Sequence, residues 1–360
     1  NGYQENGWYK RYKGFGKLKV AFTPTASLTA TLNWALDDHG VFIQWKDRNE
    51  PLEVSVQSQN DKTISRKLNL NLAFYRLLSS RLGYRIKAFV YRTEFDNEVE
   101  GGTSSEAYKF GQELQLDLQP SDPFSLTLGV EWIADRTLSS ADLFGNHTGL
   151  NLAAYAQAEL EATDRLTLSA GARYDRYRTD DRSAERRTSP KFGLSYRLSK
   201  RTSLRSALGW GFRGPSIAEI YTNAIFSGVP IVPNPNLTAE RNRSFEIGVD
   251  RRIGARVRLD LAAFWSWYDD LVEARPDVAG VVSFRNVSKG RIAGLEASAQ
   301  TSWRFLDIEG SYTLLDATED LPSGSEPLPY RPRNLVEGSL RATFDKLTLQ
   351  GRLTYRSRIQ

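Results

Sequence analysis

Three features of this chain predict an all-β fold, a large antiparallel β-barrel that crosses a membrane with its strands. Long segments alternate apolar and polar residues with a period of two. Short turns and long connections follow one another in strict succession. Many apolar faces end in Trp or Tyr. A membrane strand shows lipid one face only, and about 9–11 tilted residues suffice to cross. The mean hydropathy can therefore be negative, as it is here, with 25% of the residues charged. No stretch approaches the roughly 18 apolar residues of a helical span.

Taken in order, eight short polar turns punctuate the chain: Thr23–Ala26, Leu78–Arg81, Gln119–Asp122, Ala162–Arg165, Ser199–Thr202, Arg252–Ala255, Ser302–Phe305 and Phe344–Lys346. Each separates two alternating segments, as hairpin turns do. Their spacing runs from 37 residues between Ala162 and Ser199 to 55 between Thr23 and Leu78. Two strands, one turn and one long loop fill such an interval. Eight turns of this kind imply about sixteen strands by the hairpin rule.

The alternation can be checked segment by segment. Leu68, Leu70, Leu72 and Phe74 form one apolar face, and Leu166, Leu168, Ala170, Ala172 and Tyr174 another. Val257, Leu259, Leu261, Ala263, Trp265 and Trp267 form a third, and Leu347, Leu349, Gly351, Leu353 and Tyr355 a fourth. Trp34, Trp132, Tyr174, Trp210, Trp267 and Tyr355 close such faces, which fits an aromatic girdle at a membrane interface. The long connections are expected at Asp37–Asn60, Asp96–Glu106, Ser139–Thr148, Thr179–Arg187, Phe212–Arg241, Glu273–Lys289 and Ala317–Arg331. All fall at the same end of the strands. Short turns on one rim and long loops on the other are the build of an outer-membrane barrel.

The composition removes several function classes. There is no Cys, hence no disulfide, thiolate metal site or Cys nucleophile. His39 and His147 are the only two histidines, both in expected connections, which leaves little for a metal, haem or Ser-His-Asp site. No catalytic residues, metal site or cofactor are expected. The net charge of +5 is interspersed and forms no nucleic-acid stripe.

On the polar faces, Arg173, Arg205, Glu246, Arg258, Glu296 and Arg352 are expected to point into the lumen. A large barrel has a polar interior, and there they pair with carboxylates of neighbouring strands or face a plug. The ligand candidates lie in the longest connection. Arg213, Tyr221, Asn223, Phe226, Asn234 and Asn236 offer charge, stacking and amide hydrogen bonds at a wide mouth. Asn234-Pro235-Asn236 is also turn chemistry, so a loop-shaping role stands beside the ligand role.

The wording of several segments is similar to the barrel of TonB-dependent outer-membrane receptors. Phe212-Arg213-Gly214-Pro215, Asn234-Pro235-Asn236-Leu237 and Phe245-Glu246-Ile247-Gly248 resemble three of that family's boxes. So do Asn151–Gln157, Gly171–Asp175, Asn286-Val287 with Gly290–Glu296, and Pro329-Tyr330-Arg331-Pro332, in family order. The resemblance implies a plugged barrel of about 22 strands. Of these the chain would hold strands four to nineteen, and the plug with its TonB box would lie outside residues 1–360. It implies TonB-dependent uptake of a scarce nutrient, a ferric siderophore or cobalamin, across the bacterial outer membrane. The implied partners are outer-membrane lipid, the ligand and, through the plug, the TonB energy-transducing complex. Haem receptors of the family carry a His between the first two boxes, and Ser216–Pro233 has none. Two other readings stay open: a complete sixteen-stranded porin, and a soluble β-rich adhesin.

Overall fold

The structure is a computed structural model, and it describes residues 4–42, 45–99, 102–140, 143–226, 229–286, 289–321, 324–328 and 331–358. Val287, Pro329, Tyr330 and the final two residues, which carry parts of the expected boxes and end, lie outside the described residues.

The first ten strands are β1 (Tyr9–Thr23), β2 (Ala26–Gly40), β3 (Lys62–Ser79), β4 (Leu82–Glu98), β5 (Thr103–Ser121), β6 (Phe124–Ser139), β7 (His147–Thr163), β8 (Leu166–Thr179), β9 (Glu185–Ser199) and β10 (Thr202–Arg213). A short helix α1 (Ile217–Tyr221) and the strands β11 (Ala224–Phe226) and β12 (Val229–Val232) follow. Then come β13 (Glu240–Ile253), β14 (Val257–Asp269), β15 (Val272–Pro276) and β16 (Val282–Asn286). The chain closes with β17 (Lys289–Trp303), β18 (Leu306–Leu321), β19 (Gly324–Pro327), β20 (Asn334–Phe344) and β21 (Leu347–Arg356).

All but five of these strands form one antiparallel meander of sixteen long strands, with β19 added to the loop end of β18. Among the described residues β1 pairs with β2 alone and β21 with β20 alone. A complete sixteen-stranded porin would need those two edges paired, so the sheet does not favour that alternative.

All eight expected turns join consecutive strands, and the chemistry of seven of them falls into two kinds. At Thr23, Ser79, Thr163 and Ser199 the hydroxyl accepts the N–H two residues on, each at 3.2 Å. That bond replaces a missing ladder bond and closes the turn. Gly254, Arg304 and Asp345 instead take positive φ of 62°, 55° and 43°, the left-handed conformation that reverses the chain in few residues.

Register fixes the two faces. Leu261 stands opposite Val249 and Ala297, and Leu349 opposite Ala342. This apolar face is exposed, Leu261 at 50% and Leu349 at 54%, and Trp34, Trp132, Tyr174, Trp210, Trp267 and Tyr355 all lie exposed on it. The polar face meets the long loop, through Tyr91, Lys109, Asn151 and Tyr177, so it is the inside. A soluble β-protein would bury its apolar faces; this one presents them outward, which is the arrangement lipid requires. No helix is long and apolar enough to cross a membrane among the described residues.

The connections differ from expectation in three respects. Ala317–Arg331 is largely strand, because β18 runs to Leu321 and pairs there with β19 (Gly324–Pro327). Asp96–Glu106 is mostly strand, because β4 runs to Glu98 and β5 starts at Thr103. Cross-strand ion pairs of Arg66 with Glu94 and Asp96, and of Arg92 with Glu106, carry the sheet past its apolar band. The two long connections around β11–β12 and β15–β16 fold together as a four-stranded sheet at the loop end. Its packing leaves Ile220 and Leu237 with no exposed surface and Ala239 with 1%.

Candidate ligand-binding site

The polar faces of the sheet assemble charge by simple alternation. Residues i and i+2 share a face, so Arg173 reaches Asp175 on its own strand at 2.9 Å and Glu131 on β6 at 2.6 Å. Asp175, only 3% exposed, also accepts from Asn151 at 3.0 Å. Arg205 on β10 is held by both oxygens of Asp260, at 2.6 and 2.8 Å, and by Glu246 at 3.2 Å. Arg258 donates to Asp250 at 2.6 Å. All six residues fall on the polar face of the register, and three of the four arginines meet carboxylates. Glu296 and Arg352 share the polar face with these but make no ion pair among the described residues.

Gly294 illustrates how tightly this wall is built. A Cβ there would lie 2.5 Å from the Leu314 carbonyl oxygen and 2.5 Å from the Phe264 ring. The residue serves close packing rather than a ligand.

The long loop begins at the Phe212–Pro215 box, which is docked on β8. The Tyr177 hydroxyl donates to the Pro215 carbonyl at 3.2 Å and accepts from Thr179 at 2.7 Å. Gly214 lies against the Tyr177 ring, where a Cβ would come within 2.8 Å. Next, Ser216 caps α1. Its hydroxyl accepts the Glu219 N–H at 3.2 Å, and the Glu219 carboxylate accepts the Ser216 N–H at 2.7 Å, a reciprocal capping box. Burial pushes the Glu219 carboxyl up, but the bonds from Arg213 and Ser216 outweigh it and leave the group below its ordinary value.

These contacts place the six loop candidates. Arg213 is consumed by structure: it donates to Glu240 at 2.7 Å and to Glu219 at 2.8 Å. Asn234 donates to the Phe284 carbonyl of β16 at 2.8 Å and accepts the Asn236 N–H at 3.1 Å, so both asparagines shape the loop. Tyr221 stacks on His147, with ring centroids 3.5 Å apart and planes 6° from parallel. Asn223 is exposed, and among the described residues its side chain makes no hydrogen bond. The side chain of Phe226 lies outside the described residues.

Between this loop and the wall opens a cavity of about 660 Å³. Tyr91, Lys109, Asp135, Asn151, Arg173, Asp175 and Tyr177 line it from the wall, and Phe212, Gly214, Ser216 and Ala218 from the loop. It joins Arg173, expected in the lumen, to the first box of the loop. Lys109 pairs with Asp135 at 3.2 Å, so the lining holds fixed charges of both signs beside three tyrosines, Tyr91, Tyr108 and Tyr177. Such a mixed, aromatic-rimmed recess suits a polar ligand of several hundred Å³.

His147 was not among the expected site residues. Its Nδ1 meets Asp180 at 2.7 Å and its Nε2 the Phe144 carbonyl at 2.7 Å. Both ring nitrogens are thus engaged within the loops. Burial raises the Tyr221 hydroxyl to about 12, helped by its bond to Asp180. Burial pushes the Asp180 carboxyl up as well. Bonds from Thr148, His147 and Tyr221 outweigh it, and the group ends below the usual carboxylate value. Ser216-x-x-Glu219 was the readable signal for this region, since that spacing marks a helix start.

Comparison with known proteins agrees with this architecture. The family model described as TonB dependent receptor-like, beta-barrel matches residues 2–359. The rhizobactin receptor of Rhizobium meliloti (strain 1021) is 25% identical over 256 residues, taking in 55% of this chain and 34% of that protein. The chain therefore spans about a third of that curated relative. Among solved structures, the siderophore receptor PirA from Acinetobacter baumannii superposes with a TM-score of 0.75 at 15% identity, covering 98% of this chain and 59% of that one. The haemophore receptor HasR of Serratia marcescens, solved with its haemophore and haem, gives a TM-score of 0.77 at 17% identity, covering 97% and 64%.

Proposed function

The chain belongs to the TonB-dependent receptor-like β-barrel family, and we propose that it forms the loop-bearing wall of a receptor for TonB-dependent uptake of a ferric siderophore. Cobalamin is the second ligand class in this reading. The family is one of outer-membrane transport receptors rather than enzymes. The observation that carries the proposal is the cavity between the β4–β10 wall and the Phe212–Ala218 segment. It lies where a ligand descending from the loops first meets the lumen.

In this reading the loop tips around Tyr221 and Asn223 make first contact. The ligand then settles against Tyr91, Tyr177 and the fixed charges of Lys109, Asp135 and Arg173. Those charges are already paired, so a ligand exchanges partners with them rather than meeting bare ions; this favours recognition by geometry over bulk attraction. Arg205, Glu246, Arg258, Glu296 and Arg352 would face a plug contributed by the N-terminal part of the receptor. Energy from the TonB complex would remodel that plug and release the ligand. The rhizobactin receptor's relation to this chain supports the siderophore class. Haem is less favoured: Ser216–Pro233 has no His, and His147 already uses both ring nitrogens.

The test is an iron-limited growth assay. A strain lacking the gene is complemented with the full-length protein and offered single ferric siderophores, haem or cobalamin. Restored growth on one siderophore is the expected result. Growth restored by haem alone, or a large steady conductance of the full-length protein in planar bilayers, would overturn it.

A further inference from the structure

The outer wall carries a row of arginines just beyond the aromatic girdle at the loop end. On most of the wall they are neutralised on the same face. Arg66 meets Glu94 and Asp96, Arg92 meets Glu106, Arg241 meets Asp270, Arg243 meets Asp269 and Arg291 meets Asp316.

The sector from β6 to β9 differs. Arg136, Arg176, Arg178 and Arg186 are all exposed there, and among the described residues none makes an ion pair or donates a hydrogen bond. Register puts them on the lipid-facing side: Arg176 stands opposite Leu152, Arg178 opposite Leu150, and Leu152 opposite Trp132. Arg176 also stands directly opposite Arg186. Like charges directly opposed across a strand pair destabilise a sheet, and among the described residues none of the carboxylates of the turn above, Asp180, Asp181 or Glu185, forms an ion pair with them. Asp180 is turned to His147 and Thr148, and Glu185 to Arg187.

We propose that Arg176, Arg178 and Arg186, flanked by Arg136, form a docking site on the outer wall for the phosphate-bearing headgroup of a membrane lipid. Two observations select this occupant. The first is charge: four guanidinium groups without counter-ions call for a multiply charged anion, and the planar fork of Arg fits phosphate oxygens two at a time. The second is depth. Arg176 follows the girdle residue Tyr174 by two positions, about 7 Å along the strand, which is headgroup level. The side chains point away from the lumen, so a nutrient entering through the loops does not meet them, whereas every lipid in the adjoining leaflet does. A phosphate bridging Arg176 and Arg186 turns their repulsion into a cross-strand tie between β8 and β9.

The experiment uses the full-length protein in phosphatidylcholine nanodiscs with or without phosphatidic acid, and native mass spectrometry reads the lipid retained after release. The wild type is expected to retain phosphatidic acid over phosphatidylcholine. Arg176→Gln/Arg186→Gln should lower that retention about 25-fold and Arg178→Gln about fivefold, at roughly a factor of five per surface arginine. A matched pair at the short-turn end, Arg251→Gln/Arg256→Gln, should retain lipid as the wild type does. All these side chains are exposed, and the heat-modifiable gel shift of a folded barrel checks each variant. Unchanged retention in Arg176→Gln/Arg186→Gln overturns the site. Equal loss in the turn-end pair overturns it too, in favour of diffuse attraction. Displacement of the lipid by inorganic phosphate alone, at equal concentration, would assign the arginines to a soluble anion and overturn the lipid proposal.

Discussion

The imidazole of His147 lies flat on the phenol of Tyr221, ring centroids 3.5 Å apart, and the Asp180 carboxylate touches the imidazole at 2.7 Å. Three loops meet at this point: the entry to β7, the β8–β9 connection and the end of α1. The contact is a latch between segments far apart in the chain, and its acid–base behaviour can be measured.

The Tyr221 hydroxyl is raised to about 12 by burial and by Asp180. A raised value means the neutral phenol is the form the fold prefers. Its contribution is complete below the ordinary tyrosine value of about 10 and is lost as pH climbs through about 12. The difference between the 295 nm titrations of wild type and Tyr221→Phe should show one phenol ionising near 12. A midpoint near 10, the ordinary tyrosine value, would mean that the latch is open in solution. Asp180 runs the other way. Its lowered value stabilises the latch above the ordinary carboxylate range, and that stability fades as pH falls through the depressed value.

Arg205 and Asp260 tie β10 to β14 across β13 with two hydrogen bonds. The side chains keep 39% and 31% exposure, so water screens the pair. A double-mutant cycle of Arg205→Ala and Asp260→Ala, read by urea unfolding in detergent, should give a coupling of about 0.5–1 kcal/mol. High salt should reduce it. A coupling near zero would show that the two groups turn to other partners.

Leu261 faces lipid below the girdle, whereas Gln350 belongs to the polar face. Leu261→Arg should cost about 2–4 kcal/mol of barrel stability in vesicles. Gln350→Arg should stay within about 0.5 kcal/mol, as surface changes usually do. Equal penalties in the two variants would reverse the assignment of faces.

Gly214 has no room for a side chain, since a Cβ would meet the Tyr177 ring at 2.8 Å. Gly214→Ala should lift the loop off β8 at about 1–3 kcal/mol, the usual range for overpacking. Limited proteolysis should then cut within residues 214–239 sooner, while the barrel still shows its heat-modifiable gel shift. Tyr177→Ala in the same chain should relieve the clash. Unchanged proteolysis in Gly214→Ala would mean that the box is not seated on Tyr177.

The barrel was legible in the sequence because its determinants are local. Ser199 and Thr163 close turns within two residues, and Arg173 and Asp175 share a face because strands alternate. The pairing of Arg213 with Glu240 could not be read, since 27 positions separate them and nothing periodic links the two. The sequence offered Arg213, Asn234 and Asn236 as ligand groups and their boxes also as loop-shaping ones, and in the fold all three hold the loop. His147 and Tyr221 meet across 74 positions, where the long loop folds around the buried Ile220 and Leu237, and no short-range pattern announces that.

The meander has a consequence for how the molecule is made. Among the long strands each pairs with those directly before and after it, so the contacts of a growing sheet can be satisfied in the order in which the chain is supplied. A hairpin closed by the two-residue turn at 200–201 brings its strands together at little entropic cost. Joining β13 to β10 requires closing residues 214–239 instead, and the logarithmic dependence of loop closure on length makes that step about 2 kcal/mol harder. Ile220 and Leu237, fully enclosed within that same stretch, shorten the effective tether as the loop collapses on itself. The long loop above the cavity is thus also positioned to set the pace at which the second half of the sheet is added to the first.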